Sequence, residues 1–127
     1  MTTAANPIKV LVVDDKKVIQ DFFDFTLGYY GHQITVVQDP KLVVPLIKAT
    51  AFDIAFVDMI MPEKNGVEVL KDIKEACPQL PVVMMSGYSL QEQKDEAVRL
   101  GAVGCLKKPF ELEDVRLLIK QVIARDI

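Results

Sequence analysis

The residues of this chain that could do chemistry stand at the ends of apolar runs. Asp14 and Asp15 follow "VLVV" (10–13), and Asp58 closes "FDIAFVD" (52–58). Ser86 follows "VVMM", and Lys107 and Lys108 follow "GCL". Crowded carboxylates raise one another's pKa values, and a hard divalent cation relieves that repulsion. Mg²⁺ takes oxygen ligands and is commonly held by one or two carboxylates together with phosphate oxygens. A carboxylate can also act as a nucleophile towards phosphorus. Each signal is weak alone. An Asp-Asp pair before a helix can serve as a cap, a lone Asp after a strand as a turn former, and Lys before Pro as a solvated side chain.

The elements that would position these groups alternate along the chain. "IKVLVV" (8–13) reads as a strand covered on both faces, "QITVV" (33–37) as a second, and "FDIAFVD" (52–58) as a third. "LPVVMM" (80–85) and "AVGCL" (102–106) complete a set of five. Between them lie helical patterns: Ile19, Phe22, Phe23, Thr26, Leu27 and Tyr30, with Gly28 and Gly31 at the end; Val67, Leu70 and Ile73; Leu90 to Leu100, stopped by Gly101; and Leu112, Val115, Leu118, Ile119 and Val122. Asp39-Pro40 starts the second helix, with a cap followed by a proline whose missing N–H costs nothing there. Pro45 predicts that this helix is short, displaced or kinked.

Strict strand–helix alternation demands right-handed crossovers and a parallel sheet with helices on both faces. The expected fold is therefore α/β: a doubly wound, flavodoxin-like (βα)5 sheet of order 2-1-3-4-5. Ligands of such sheets bind outside the carboxyl ends of the strands, near the switch point. That rim is where Asp14, Asp15, Asp58, Ser86 and Lys107 or Lys108 converge, whereas Asp39 belongs to an edge strand. Strands one and three flank the switch point, so the three aspartates should lie within a few ångströms of one another, as a seat for Mg²⁺.

Bulk properties narrow the classes. At 127 residues and 50% hydrophobic, the chain suits one ordinary domain with a real core. No apolar run approaches the roughly 18 residues of a membrane span, and "MTTAANP" lacks the marks of a signal peptide, reading instead as a lead-in over residues 1–7. A net charge of −3 without a basic patch argues against direct nucleic-acid binding. Cys77 and Cys105 read as reduced thiols of a cytoplasmic protein, and His32 as a structural histidine. No Gly-rich loop could cradle ATP.

Taken as a set, "LVVDD" (11–15), "FVDMIMPEKNG" (56–66), "VVMMSGY" (82–88) and "GAVGCLKKPF" (101–110) resemble the receiver domain of two-component response regulators, of the chemotaxis-regulator type. The resemblance covers residues 8–127. It implies that Asp58 is the phosphoacceptor, and that Asp15 ligates Mg²⁺ directly while Asp14 assists through water. It further implies that the Ile60 carbonyl is a metal ligand and that Ser86 and Lys108 contact the phosphoryl group. The Lys108–Pro109 bond is expected to be cis, and Lys107 is the second choice for the lysine. The donor would be a sensor histidine kinase or phosphotransfer protein. The receiver would be a signalling module that catalyses its own phosphorylation and dephosphorylation. Its readout would be the surface of the fourth helix, fifth strand and fifth helix, acting on a downstream protein or an output domain, with dimerisation through helices four and five.

Two positions depart from the family. Cys105 stands three residues before Lys108, where an aromatic switch residue is usual, so no ring can swing there. Ile60 and Tyr88 occupy positions that tune the lifetime of the phosphoryl group, and neither ionises at neutral pH to position water, so self-dephosphorylation should be slow. Three competing readings remain. A Mg²⁺-dependent aspartyl phosphatase would need an acid two residues after its nucleophile, where this chain has Ile60 or Lys16. A flavin-binding flavodoxin would need a glycine- and hydroxyl-rich phosphate loop in place of "DDKK". The third is an unphosphorylated interaction module of the same fold.

Overall fold

A computed structural model of the chain describes residues 6–87 and 91–123. Five parallel strands, β1 (Lys9–Val13), β2 (Gln33–Val37), β3 (Ile54–Asp58), β4 (Val82–Ser86) and β5 (Gly104–Lys107), form one sheet of order β2-β1-β3-β4-β5. The helices between and after them are α1 (Lys17–Phe23), α2 (Val43–Ala49), α3 (Gly66–Ala76), α4 (Gln91–Arg99) and α5 (Leu112–Ile123). The doubly wound order expected from the alternation is the one observed.

Alternation of side chains along each strand splits the core in two. Leu11 and Val13 of β1 join Val57 of β3, Met84 of β4, and Leu70 and Ile73 of α3 on one face. Val10 and Val12 join Phe56, Met85, Phe23 of α1 and Ile119 of α5 on the other. Every residue of β3 and β4 is buried, as continuous apolar runs require when helices cover both faces. The Phe23 and Phe56 rings, 5.0 Å apart, tie α1 to the sheet centre.

Helix boundaries follow local chemistry. Asp39 accepts the Lys41 N–H at 3.0 Å and starts a 3₁₀ turn (Pro40–Leu42) that leads into α2. The structure places Pro45 third in α2, inside the first turn, where a helix leaves its N–H groups without intrahelical partners. The helix is short, as Pro45 predicts. The first helical pattern, expected to run to Tyr30, changes character after Phe23 and continues as a π turn over Asp24–Gly28. There the Thr26 hydroxyl donates back to the Phe22 carbonyl, a bond that competes with the regular ladder. Gly31, at φ 96°, ends the segment in a conformation that other residues rarely adopt.

Candidate functional site

The carboxyl ends of β1 and β3 are adjacent, because Val13 registers with Val57. The next residues outward, Asp14 and Asp58, therefore emerge side by side. Carboxylate oxygens of Asp14, Asp15 and Asp58 lie within 4.8 Å of one another. Asp14 is 0% exposed and Asp58 is also buried, whereas Asp15 faces solvent.

Two ammonium groups answer these acids. Lys108 Nζ donates to Asp14 Oδ2 at 2.9 Å and lies 3.2 Å from Asp58 Oδ1. Its side chain is only 15% exposed, so this pairing is screened little by water. Lys16 Nζ donates to Asp58 Oδ2 at 3.2 Å and to Asp15 Oδ1 at 3.3 Å. Burial lowers the pKa of the Lys16 ammonium, but the charge and hydrogen bond of Asp58, with Asp15, outweigh it and hold the pKa above the ordinary lysine value. Both oxygens of Asp58 are thus engaged by cations.

Backbone geometry sets these side chains. The Lys16 N–H donates to Asp14 Oδ1 at 2.8 Å, so Asp14 also stabilises the turn into α1. α1 has Lys16 at its N-cap position and no side-chain cap, so the acid pair forms the cluster and does not cap the helix. Gln20, on the buried face of α1, donates from Nε2 to the Asp14 carbonyl at 3.0 Å. Beyond β3, Met59 N–H donates to Met85 O, and Gly66 N–H returns to Met59 O, both at 2.8 Å. Asn65 caps α3 by accepting the Glu68 N–H at 2.9 Å. The loop after Asp58 is fastened at both ends.

Ser86 is buried at the end of β4, one register step beyond the Asp58–Met85 pair, and its carbonyl accepts the Lys108 N–H at 2.8 Å. The peptide bond from Lys108 to Pro109 is cis. Lys107 is exposed, and the contacts to the acidic cluster come from Lys108. Ile60 stands at the mouth, 46% exposed, with its N–H 3.5 Å from Asp58 Oδ1. Tyr88 lies outside the described residues. Cys105 is half-buried in β5, and burial raises its thiol pKa.

Two positions did not stand out in the sequence. Lys16 was given no role at the rim, although a lysine directly after two acids can fold back on them. Gln20 was signalled only by a polar residue within the apolar stripe of α1. The donor set itself suits a hard cation: three carboxylates gather at one rim and one of them is open to water. A cleft of about 290 Å³ lined by Asp15, Asp39, Met61, Pro62 and Glu63 adjoins it.

Comparison with known proteins agrees with the fold and the motifs. The family model for the response regulator receiver domain matches residues 10–120. The chain is 30% identical over 123 residues to the transcriptional regulatory protein FixJ of Bradyrhizobium diazoefficiens, covering 97% of this chain and 58% of FixJ. It is 34% identical over 103 residues to the response regulator protein FleR of Pseudomonas aeruginosa, covering 81% of this chain and 22% of FleR. It spans 51% of the probable transcriptional regulatory protein TcrX of Mycobacterium tuberculosis. Among solved structures, a Francisella response regulator receiver domain superposes with a TM-score of 0.83 at 31% identity, covering 94% of this chain and 98% of that one. Among the described residues, no helix is long and apolar enough to cross a membrane.

Proposed function

The chain belongs to the response regulator receiver domain family, and on that premise we propose that it receives a phosphoryl group on Asp58 from a phosphohistidine and switches a protein-interaction surface. The observation that carries this reading is the environment of Asp58. It is a buried carboxylate at the mouth of the sheet, 3.2 Å from the Lys108 ammonium and grouped with Asp14 and Asp15.

Phosphoryl transfer asks chiefly for positioning and for stabilisation of charge on the transferred oxygens. An oxygen of Asp58 attacks phosphorus, the phosphorus–nitrogen bond of the donor breaks, and an acyl phosphate forms on the protein. Lys108, held by the buried Asp14, supplies a fixed positive charge beside the new phosphoryl oxygens. The Ser86 hydroxyl donates to one of those oxygens. Asp15, Asp58 and the Ile60 carbonyl would hold Mg²⁺, with Asp14 assisting. When bound, the ion supplies charge stabilisation on the phosphoryl oxygens. Catalysis of this kind serves one event per signal, on the protein's own side chain.

The partner follows from the chemistry: a histidine kinase or a phosphotransfer protein, since no nucleotide-binding loop is present in the sequence. The added phosphoryl group carries up to about two negative charges. It would draw Ser86 and the β4–α4 loop inward, biasing the α4–β5–α5 surface towards one of two states. The output would be a downstream protein or a further domain, as in relatives that extend well beyond the matched region, with α4 and α5 offering a dimer face. The whole protein would act in the cytoplasm, without direct contact with nucleic acid by this domain.

Treatment with acetyl phosphate and Mg²⁺, followed by intact-mass measurement, tests the proposal. One added phosphoryl group, absent in Asp58→Asn, is the expected result. No adduct on the wild-type protein, or an adduct that survives Asp58→Asn, would overturn it in favour of an unphosphorylated interaction module.

A further inference from the structure

The side chain of Lys16 occupies a position in the acidic cluster that neither the fold nor the phosphoacceptor reading requires. Its ammonium bridges Asp15 Oδ1 and Asp58 Oδ2, at 3.3 and 3.2 Å. These belong to the two carboxylates proposed to ligate the cation directly. We infer that Lys16 is a tethered competitor for the divalent cation: its ammonium holds the bridge between Asp15 and Asp58 and is displaced when the cation binds. The inference rests on the proposed Mg²⁺ site and assigns a regulator to it.

Three observations favour displacement of Lys16 rather than Lys108. Lys108 is only 15% exposed and paired with Asp14, which is buried completely, so removing it would leave a buried charge unpaired. Lys16 is 52% exposed, and its flexible stem can carry the ammonium into water at little cost. Charge balance points the same way. Lys108 and a divalent cation together neutralise Asp14, Asp15 and Asp58, whereas Lys16 kept in place would leave an excess positive charge.

Displacement also has a chemical consequence. Lys108 faces Asp58 Oδ1, and Lys16 faces Asp58 Oδ2. While both bonds hold, each oxygen of the nucleophile is occupied. Release of Lys16 passes its place between Asp15 and Asp58 to the cation, so ammonium and cation compete for the same carboxylate oxygens. The site would require more cation for half-saturation than the same three acids without the lysine.

Titration calorimetry with MgCl₂ at low ionic strength measures this without reference to phosphorylation. A positive charge within hydrogen-bond reach of a carboxylate shifts its proton affinity by about one to three decades, and a half-exposed lysine belongs at the lower end. Lys16→Gln should tighten Mg²⁺ binding by about tenfold. Lys16→Arg, which keeps the charge, should stay near wild type. Lys17→Gln is the control for long-range electrostatics. Lys17 is 83% exposed and paired with Asp21, and its loss should change the affinity by less than about twofold. If the wild-type protein binds Mg²⁺ and Lys16→Gln binds it no more tightly than Lys17→Gln does, competition by Lys16 is overturned while the phosphoacceptor reading stands. If neither wild type nor Lys16→Gln binds Mg²⁺ at any concentration, the metal site falls together with the inference.

Discussion

Gly66 presses its Cα against the end of β3: a β-carbon on it would lie 2.2 Å from the carbonyl oxygen of Asp58 and 2.7 Å from the Cα of Met59. Both contacts are to backbone, so no side chain can rotate to relieve them. The first residue of α3 is thereby wedged beneath the proposed phosphoacceptor, and the loop carrying Ile60 is held between two fixed points.

Gly66→Ala should therefore displace Asp58 or lift the start of α3. We expect a loss of about 1–3 kcal/mol, the usual range for overpacking, and slower phosphorylation by acetyl phosphate. Urea denaturation and mass spectrometry read the two effects. Wild-type values in both would show that the loop yields freely.

Removing the buried cation should cost more than removing its neighbour. Lys108→Ala leaves Asp14 and Asp58 without their shared ammonium, and we expect a loss of about 3 kcal/mol, at the lower end for breaking a buried pair. It should also uncouple any acyl phosphate from the surface change. Lys107→Ala, at an exposed position, should stay within about 0.5 kcal/mol of wild type. Equal effects from the two substitutions in denaturant unfolding would return the role to Lys107.

His32 gives stability a pH dependence on the acid side. Its Nδ1 accepts the Ile8 N–H at 3.0 Å, its side chain is buried with the residue only 5% exposed, and burial pushes its pKa below the ordinary 6.5. The folded protein therefore resists a proton that the unfolded chain takes up. Stability should hold above about pH 6.5 and fall as the pH drops below it, with a slope of up to about 1.4 kcal/mol per unit. His32→Gln should flatten that segment while lowering stability throughout, because Ile8 N–H loses its acceptor. Unfolding curves between pH 7.5 and about 5.5, above the carboxylate range, test this. An unchanged slope in the variant would assign it to other groups.

Ile60 bears on how long the proposed phosphoryl group would last. Its apolar side chain stands half-exposed beside Asp58 and can neither ionise nor orient a hydrolytic water. Loss of phosphate from the isolated protein should take minutes or longer, and Ile60→Glu should shorten it by supplying a group that positions water. Decay within seconds in the wild type, followed by intact mass, would contradict this account.

Much of this molecule was legible in residue order alone, for physical reasons. Continuous apolar runs such as "VLVV" and "IAFV" mark strands covered on both faces, and strand–helix alternation leaves few topologies, so the order β2-β1-β3-β4-β5 followed. Aspartates directly after those runs must emerge at the carboxyl rim, so residue order alone brings Asp14, Asp15 and Asp58 together. The Asp39-Pro40 start and the short α2 were likewise local properties of a cap and two prolines.

Other features depended on neighbours distant in the chain. The π turn over Asp24–Gly28 is one, because hydrophobic spacing does not record a change in the backbone hydrogen-bond pattern. Lys16 lies 3.2 Å from Asp58 although the chain separates them widely, and nothing in "DDKK" states which way a flexible ammonium turns. Residue order determined which groups reach the rim, because strand and helix periods are local. The folded structure decided which charges meet there, because pairing depends on side-chain torsions and on the potential of every neighbouring element at once.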